Sequence, residues 1–261
     1  MPASELLGET NSARGERPRQ IASRAHLVSF FLIGAGVVAL GFLAQHAPAG
    51  SGGAAPGQLA SHDKAIPTYL TATLMDWALL YYCWAGTRHR GGNLKVLSGG
   101  RWTSWKSLVV DLGIALPFWV LWEGAAYGID QLISGLSGAS SAKTVYSLLP
   151  HSLLEVLIWI GLSITAGVCE EMVFRGYLQL QLHALSGSVV AAVVGQGLVF
   201  GLFHSYQGWE NVVVISGLGV LYGALAAWRG NLRANIVVHA WADIWSGWFK
   251  FVVLPERLWK F

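Results

Sequence analysis

Residues 152–172 read SLLEVLIWIGLSITAGVCEEM, an apolar run that ends in the adjacent carboxylates of Glu170 and Glu171. A transmembrane helix needs roughly 20 consecutive, mostly apolar residues, and this stretch has that length. A carboxylate at membrane depth is costly and usually faces a partner or a water-filled cavity. The stretch therefore predicts a membrane-spanning helix that carries functional acids at one end.

The rest of the chain shares this apolar character. Of the 261 residues, 54% are hydrophobic and 12% are charged, whereas a soluble domain has about 25% charged residues. This composition excludes a disordered or fibrous protein, and the two cysteines exclude a disulfide scaffold. Six further stretches approach the length of a span: 26–45, 66–86, 107–127, 188–206, 210–228 and 233–254. We expect an all-α, polytopic transmembrane helix bundle of about seven spans, within a range of about six to eight.

Basic residues predict how the bundle lies in the membrane. They are concentrated in the N-terminal tail and in the loop after the second apolar stretch: Arg14, Arg17, Arg19, Arg24, Arg88, Arg90, Lys95, Arg101 and Lys106. The positive-inside rule places the N-terminus in the cytoplasm, and we expect an integral protein of the cell membrane with no nucleic-acid partner. The chain divides into a basic tail, N-terminal transmembrane helices, a transmembrane domain with the motifs described below, and a C-terminal tail, at 1–25, 26–145, 146–254 and 255–261.

The helix of Glu170 and Glu171 also carries Arg175. Glu171 and Arg175 are four residues apart and share one helical face, in the order that favours an ion pair. Glu170 points about 100° away, so it must find a partner on another helix. A carboxylate left in this way can act as a general base, and the alternative is an ion-paired patch at a helix end.

Phe200 and His204 form a second pair at four-residue spacing. The turn at 186–188 predicts a hairpin, and both Glu170 and His204 lie 17 residues from Gly187. Antiparallel helices put such residues at one level, because both helices rise equally per residue. A glutamate and a histidine that face each other there can hold and deprotonate a water molecule. Taken alone, His204 is better explained as an interfacial histidine beside residues 205–208.

A third pair, His239 and Asp243, again has four-residue spacing. These residue types fit oxyanion stabilisation, water positioning or metal binding, and they also fit a His–Asp pair that pins two helices together. His239 lies six residues after Arg233, whereas His204 ends its apolar stretch. The two histidines therefore reach one level only if a helix is tilted or broken.

The three motifs, in this order on apolar helices, resemble the CPBP family of intramembrane proteases. That family includes the type II CAAX prenyl endopeptidase and bacteriocin-processing or immunity proteins. The resemblance covers roughly residues 150–250 and rests on Glu170-Glu171-x-x-x-Arg175, Phe200-x-x-x-His204 and His239-x-x-x-Asp243. It implies a role for each position: Glu170 and His204 activate water, Glu171 and Arg175 order the first helix, and His239 and Asp243 stabilise the oxyanion.

Asp243 departs from the prenyl proteases of this family, which carry Asn there, although the wider family accepts either residue. An ionised Asp243 would repel an oxyanion, so it is protonated, orients His239 or helps to hold a cation. Two histidines with a carboxylate can bind zinc and leave a position open for water. A zinc ion would have Glu170, His204, His239 and Asp243 as its ligands, and a metal-free mechanism fits the same residues.

The pattern favours an endopeptidase in the lipid bilayer that cleaves a membrane-associated or lipidated protein or peptide. Such an enzyme needs a cavity open to water, because a dry bilayer core supplies no lytic water. Two alternatives stay open: a non-catalytic membrane binding or immunity protein, and a proton-coupled transporter whose buried acids and histidines relay protons. Replacing Glu170 separates enzyme from binding protein, because only the enzyme loses its function.

Four further acids lie in the apolar stretches: Asp76, Asp111, Glu123 and Glu155. They either line the same cavity or are hydrogen-bonded and interfacial groups away from it, and we favour the second interpretation. Cys169 is interpreted as a packing residue rather than a nucleophile, because apolar surroundings keep a thiol protonated.

Overall fold

The computed structural model describes residues 19–46, 65–100, 104–138 and 148–253, and all regular structure within them is helical. The helices are α1 (Arg24–His46), α2 (Ala65–Arg88), α3 (Leu94–Ser98), α4 (Trp105–Ser137), α5 (Leu153–Glu170), a π-helix (Glu171–Leu178), α6 (Gln179–Ser186), α7 (Val189–Phe203), a 3-10 turn (Ser205–Gln207), α8 (Trp209–Arg229) and α9 (Arg233–Val253). The predicted all-α class is confirmed for these residues. Most of the predicted tail 1–25 and all of 255–261 lie outside the described residues.

Within the described residues, four helices are long and apolar enough to cross a membrane: Arg24–Leu43, Trp105–Ser137, Leu153–Ser186 and Trp209–Arg229. A fifth, Val189–Phe203, is apolar but shorter. The predicted stretches at 107–127 and 152–172 are too short, because their helices continue to Ser137 and Ser186. The stretches predicted at 66–86 and 233–254 form α2 and α9, which carry ionisable side chains and are not among the four.

The helix pair that carries the first two motifs is a hairpin, as predicted. Gly187 ends α6 in the left-handed conformation, with φ 70°, and the Ser188 side chain caps α7 by accepting the N–H of Ala191. A left-handed residue after a helix is most easily supplied by glycine, and a serine N-cap satisfies an orphan N–H. This short turn makes α6 and α7 antiparallel neighbours.

Glycines let α7 and α8 approach until their backbones touch. A Cβ at Gly197 would lie 2.8 Å from the backbone nitrogen of Val220, and a Cβ at Gly219 would lie 2.8 Å from the Cα of Gly197. Small residues at such a crossing allow close helix packing in membranes. The crossing brings the carbonyl oxygen of Gly219 within reach of the first motif.

Helix α9 lies equally close to α5. A Cβ at Gly167 would lie 2.9 Å from the backbone nitrogen of Ala240, and the indole N–H of Trp159 donates to the carbonyl oxygen of Asp243 at 2.7 Å. The third motif on α9 is thereby placed directly beside the end of α5, where the glutamate pair stands.

Helices α1 and α2 pack beside the π-helix and the helix that precedes it. The Nε2 of His26 donates to the carbonyl oxygen of Tyr82 at 3.1 Å, so its Nδ1 accepts from the Tyr177 hydroxyl at 2.7 Å. On α2, the Tyr69 ring packs edge-on against the Trp159 ring at 5.2 Å. The first two helices therefore pack against the continuous helix that carries the first motif.

Candidate active site

The glutamate pair straddles a change of helix type. Helix α5 ends at Glu170, and Glu171 begins a π-helix in which all eight residues are buried. π-helical turns are rare and occur frequently at functional sites. Gly176 is part of this segment, where a Cβ would collide with the carbonyl oxygen of Leu97 on α3. The wider turn is therefore held between α3 and the rest of the bundle.

Glu171 is the centre of a hydrogen-bond network and has no exposed surface. Its Oε1 accepts from Arg175 Nη1 at 3.0 Å and from His239 Nδ1 at 2.8 Å, and its Oε2 accepts from Asn235 Nδ2 at 3.1 Å. A buried ion pair repays its desolvation only when the remaining polar atoms are also bonded. The predicted Glu171–Arg175 pair is present, and two groups from α9 complete it.

Two aromatic rings enclose the guanidinium of Arg175. Its carbon lies 4.4 Å from the ring centre of Phe200 and 5.1 Å from that of Tyr222, and Nη2 donates to the carbonyl oxygen of Gly219 at 3.2 Å. An aromatic face attracts a desolvated cation. This cage fixes Arg175 and, through it, the carboxylate of Glu171.

His239 joins the first and third motifs. While Nδ1 is bonded to Glu171, Nε2 lies 3.6 Å from Oε2 of Glu170 and 3.7 Å from Oδ2 of Asp243. The Tyr222 ring stacks on the imidazole with 5.2 Å between ring centres. Glu170 and Asp243 keep 17% and 33% of their side chains exposed, so the Nε2 side of His239 is the open side of the network.

His204 lies at the end of α7, next to this network. Its Nδ1 is 2.9 Å from the carbonyl oxygen of Phe200. A carbonyl only accepts, so Nδ1 carries hydrogen and Nε2 of the neutral ring is an acceptor. The Phe200 ring contacts both His204, at 4.8 Å, and His239, at 6.2 Å. The described residues place His239 within 4 Å of Glu170, and the predicted pairing of Glu170 with His204 through a water molecule stays a prediction.

The predicted register of the hairpin agrees with its ring contacts. Phe174 and Phe200 both lie thirteen residues from Gly187, and their ring centres are 4.9 Å apart. The α-to-π change lies in the helix of the first motif and not in α7 or α9, which carry the two histidines. The second and third motifs nevertheless converge, because the Phe200 ring contacts both His204 and His239.

Sequence reasoning missed Asn235 and Tyr222. Asn235 is fully buried and stands four residues before His239, so the series 235, 239 and 243 marks one face of α9 and could have identified it. Tyr222 has no such signal, because its role depends on the crossing of α8 with the motif helices.

Three of the four further acids have partners away from the site, as favoured. Asp111 binds Arg229 and Arg233, Glu123 accepts from the indole of Trp119, and Glu155 accepts the N–H of His151. Asp76 lies on α2 between Tyr69, whose ring contacts Trp159, and Leu80, which belongs to the core around Cys169. This carboxylate of α2 therefore faces the side of the bundle where α5 packs.

In the described part of the chain, no group of three or more His, Cys, Asp and Glu side chains is arranged to hold a metal ion. The expected zinc ligands are Glu170, His204, His239 and Asp243. Both ring Nδ1 atoms are engaged, with Glu171 and with the Phe200 carbonyl. We therefore route no chemical step through a metal, and the zinc site stays a prediction.

A comparison with known families finds a match over the helices that carry the three motifs. Residues 152–245 match the Rce1-like type II CAAX prenyl endopeptidases. The resemblance drawn from the three motifs is thereby confirmed. The Rce1-like region contains all six predicted site residues, and it also contains Asn235 and Tyr222, whereas Asp76 lies outside it. No curated protein and no solved structure matches the chain significantly.

Proposed function

We propose that this chain is an intramembrane endopeptidase that hydrolyses a peptide bond in a membrane-associated or lipidated protein or peptide. The Rce1-like match and the apolar helices support a protease embedded in a membrane. We further propose about seven spans, formed by adding α2, α7 and α9 to the four apolar helices, with a cytoplasmic N-terminus in the cell membrane.

The convergence of carboxylates on His239 carries the proposal. Its two ring nitrogens lie beside Glu171 and Glu170, which are adjacent in the sequence, while Asp243 lies one turn further along its own helix. A structural ion pair needs only Glu171 and Arg175. A second, partly exposed carboxylate on the open side of the same imidazole supports chemistry on a ligand.

We assign Glu170 and His204 to water activation. Glu170 is not bonded to Arg175, and its partly exposed carboxylate can take a proton from water. The free Nε2 of His204 can accept the second hydrogen of that water and orient it. The water oxygen then attacks the peptide carbonyl carbon, and Glu170 passes its proton to the leaving amine.

We assign oxyanion stabilisation to His239. Glu171 fixes the ring by holding Nδ1, so a protonated Nε2 can donate to the oxygen of the tetrahedral intermediate. Donors that are held in place before the reaction stabilise the transition state most effectively. Asp243, 3.7 Å from Nε2, balances the charge of the imidazolium and orients it.

The test compares peptide ends in membranes from cells that make the wild type, Glu170→Gln or His204→Ala. We expect new peptide ends that vanish in both variants. The matched control is Glu155→Gln, since this acid lies at the start of α5, fifteen residues before Glu170, and an amide can still accept the backbone N–H of His151. Identical peptide ends in all four samples, with equal amounts of folded protein, would contradict a protease.

A further inference from the structure

Helix α1 packs against the turn that follows His204, although α1 lies outside the Rce1-like region. His204 ends α7, and the 3-10 turn begins directly after it. On α1, a Cβ at Gly41 would lie 2.9 Å from the Oγ of Ser205 and 3.0 Å from the backbone nitrogen of Tyr206. Only glycine lets two backbones approach this closely without a shift of one of them. The position of the turn is therefore matched to the missing side chain at residue 41.

The residue before His204 also contacts α1. A Cβ at Gly34 would lie 2.7 Å from the ring of Phe203, and the rings of Phe30 and Phe203 stack with 5.8 Å between their centres. Gly34 and Gly41 are seven residues apart and both are buried, so they lie on one face of α1. This face of α1 therefore touches the chain on both sides of His204.

The imidazole of His204 is held by side chains close to it in the sequence. Its Nδ1 donates to the carbonyl oxygen of Phe200, and the Phe200 ring meets the imidazole edge-on at 4.8 Å. The Tyr206 ring stacks on the imidazole, with 6.1 Å between ring centres and 28° between ring planes. Gln207 donates to the Tyr206 hydroxyl at 2.9 Å, and Asn211 of α8 donates to the carbonyl oxygen of Gln207. The direction of Nε2 therefore depends on where the turn places Tyr206.

We infer that Gly41 and Tyr206 are positioning residues, through which α1 sets the orientation of the His204 imidazole for water activation. The inference rests on the proposed function, in which Nε2 of His204 orients the attacking water. Catalysis depends steeply on such geometry, since a displacement of about 1 Å can slow a reaction about 100-fold. Helix α1 then serves the reaction, although it carries none of the three motifs.

The test compares two glycines of α1 in the purified full chain. Gly41→Leu pushes a side chain into the turn, and Gly36→Leu is the matched control, because a Cβ at the exposed Gly36 meets no atom of the described residues within 4 Å. The substrate is a reporter peptide that spans a cleavage site found by the comparison of peptide ends. We expect Gly41→Leu to lower kcat about 10- to 100-fold without a matching change in KM, and Gly36→Leu to change neither.

The His204→Ala background separates positioning from a general loss of packing. If Gly41 acts through the imidazole, Gly41→Leu has no further effect on kcat once that ring is absent, because residues that act through one group are not additive. Equal losses in both backgrounds overturn the inference. Gly41→Ala adds only the Cβ and gives the same comparison if Gly41→Leu does not fold.

The role of Tyr206 is tested by a conservative and a drastic substitution. Tyr206→Phe keeps the stacked ring and should keep kcat near that of the wild type. Tyr206→Ala removes the ring and should lower kcat as Gly41→Leu does. Equal losses in the two variants would contradict a role for the ring.

A spectroscopic readout follows the imidazole without any cleavage. In protein with isotope-labelled histidine, the ring signals of His204 are those that disappear in His204→Ala. We expect Gly41→Leu and Tyr206→Ala to shift these signals, and Gly36→Leu to leave them in place. Signals that Gly41→Leu does not shift overturn the inference.

Failure of the proposed function would look different. If no reporter peptide is cleaved in a Glu170-dependent manner, the proposed protease is wrong. If cleavage depends on Glu170 but not on His204, the assignment of His204 falls, and this inference falls with it. If cleavage depends on both residues but not on residue 41, the protease stands and only the role of α1 falls.

Discussion

The bundle contains two buried clusters of acidic and basic side chains. They differ in whether every acid of the cluster is buried and paired with a base. Asp111 has no exposed side-chain surface and binds Arg229 and Arg233, at 2.9 and 2.7 Å. Glu171 is equally buried and also binds an arginine, but its network continues through His239 to partly exposed Glu170. Both clusters bury a carboxylate inside the bundle, which is costly unless the charge is paired. The comparison teaches that a buried charge indicates function when its network keeps an open, reactive end.

The largest effect on the cleavage rate is expected from replacing Glu170, at the partly exposed end of the network. Glu170→Gln should lower kcat/KM for a reporter peptide by about 100- to 10,000-fold, because it removes a general base. The free energy of unfolding should change little, since Glu170 lies outside the Glu171–Arg175 pair. Rates and denaturant midpoints of the purified protein give both numbers. A residual activity near the wild type would show that another group takes the proton.

Breaking the closed part of the same network should affect stability. Arg175→Met leaves Glu171 buried without its main counter-charge, and breaking a buried pair costs about 3–5 kcal/mol. We expect this loss in the free energy of unfolding, measured in detergent. Arg88→Met is the matched control, because Arg88 lies at the end of α2 and rests on the ring of Trp84. Similar losses in both variants would contradict the central place of Arg175.

Substitutions at Asn235 should have a smaller effect. They distinguish the loss of a hydrogen bond to Glu171 from the addition of a charge beside it. Asn235→Ala removes the donor to Glu171 Oε2 and to the carbonyl oxygen of Tyr222. Leaving buried acceptors unpaired costs about 1–3 kcal/mol. We expect a loss of this size in stability together with slower cleavage, because His239 shares the same carboxylate. Asn235→Asp, in contrast, adds a second acid beside Glu171 and should be the less stable variant.

A substitution in the Asp111 cluster should lower the free energy of unfolding and leave the cleavage rate unchanged. Asp111→Asn weakens the contacts to Arg229 and Arg233, which are themselves 22% and 18% exposed, so solvent replaces part of the loss. We expect a cost of about 1–3 kcal/mol in unfolding. The cleavage rate per folded molecule should stay within about twofold of the wild type, since such a contact acts on the fold and not on the transition state. A large loss of rate would show that this cluster also controls the position of α9.

The smallest effect is expected from metal removal. Within the described residues no three side chains converge on one point as metal ligands. If the proposed Glu170–His204 mechanism needs no metal, a zinc chelator leaves the cleavage rate unchanged and elemental analysis of the purified protein finds less than one zinc per chain. Inhibition that is reversed by added zinc would establish the predicted metal site instead.

The sequence predicts those features that depend on local spacing. The Glu171–Arg175 pair follows from a separation of four residues, the hairpin from Ser-Gly-Ser at 186–188, and the helical class from apolar length. The His239–Asp243 approach follows from the same rule. These patterns are readable because helical periodicity fixes which neighbours share a face.

Other features depend on contacts between distant parts of the chain. The α-to-π change at Glu171 has no signal in composition or periodicity. The partner of Glu170 depends on how close α9 comes to α5, which Gly167 permits. Tyr69 meets Trp159 only because α2 packs along α5. Tertiary packing decides such pairings, and a single sequence does not contain the crossing geometry.

The contacts between the start of the first helix and the π-helix region have a consequence for biosynthesis. Ile21 donates to Gln181 across 160 residues, and His26 accepts from Tyr177 across 151 residues. Contacts between such distant residues form late, since the intervening chain must first be made and inserted. Helix α1 is therefore synthesised before the residues that it contacts, and His239 is synthesised later still. A chain still on the ribosome lacks the assembled site, so the three motifs come together only when translation is nearly complete.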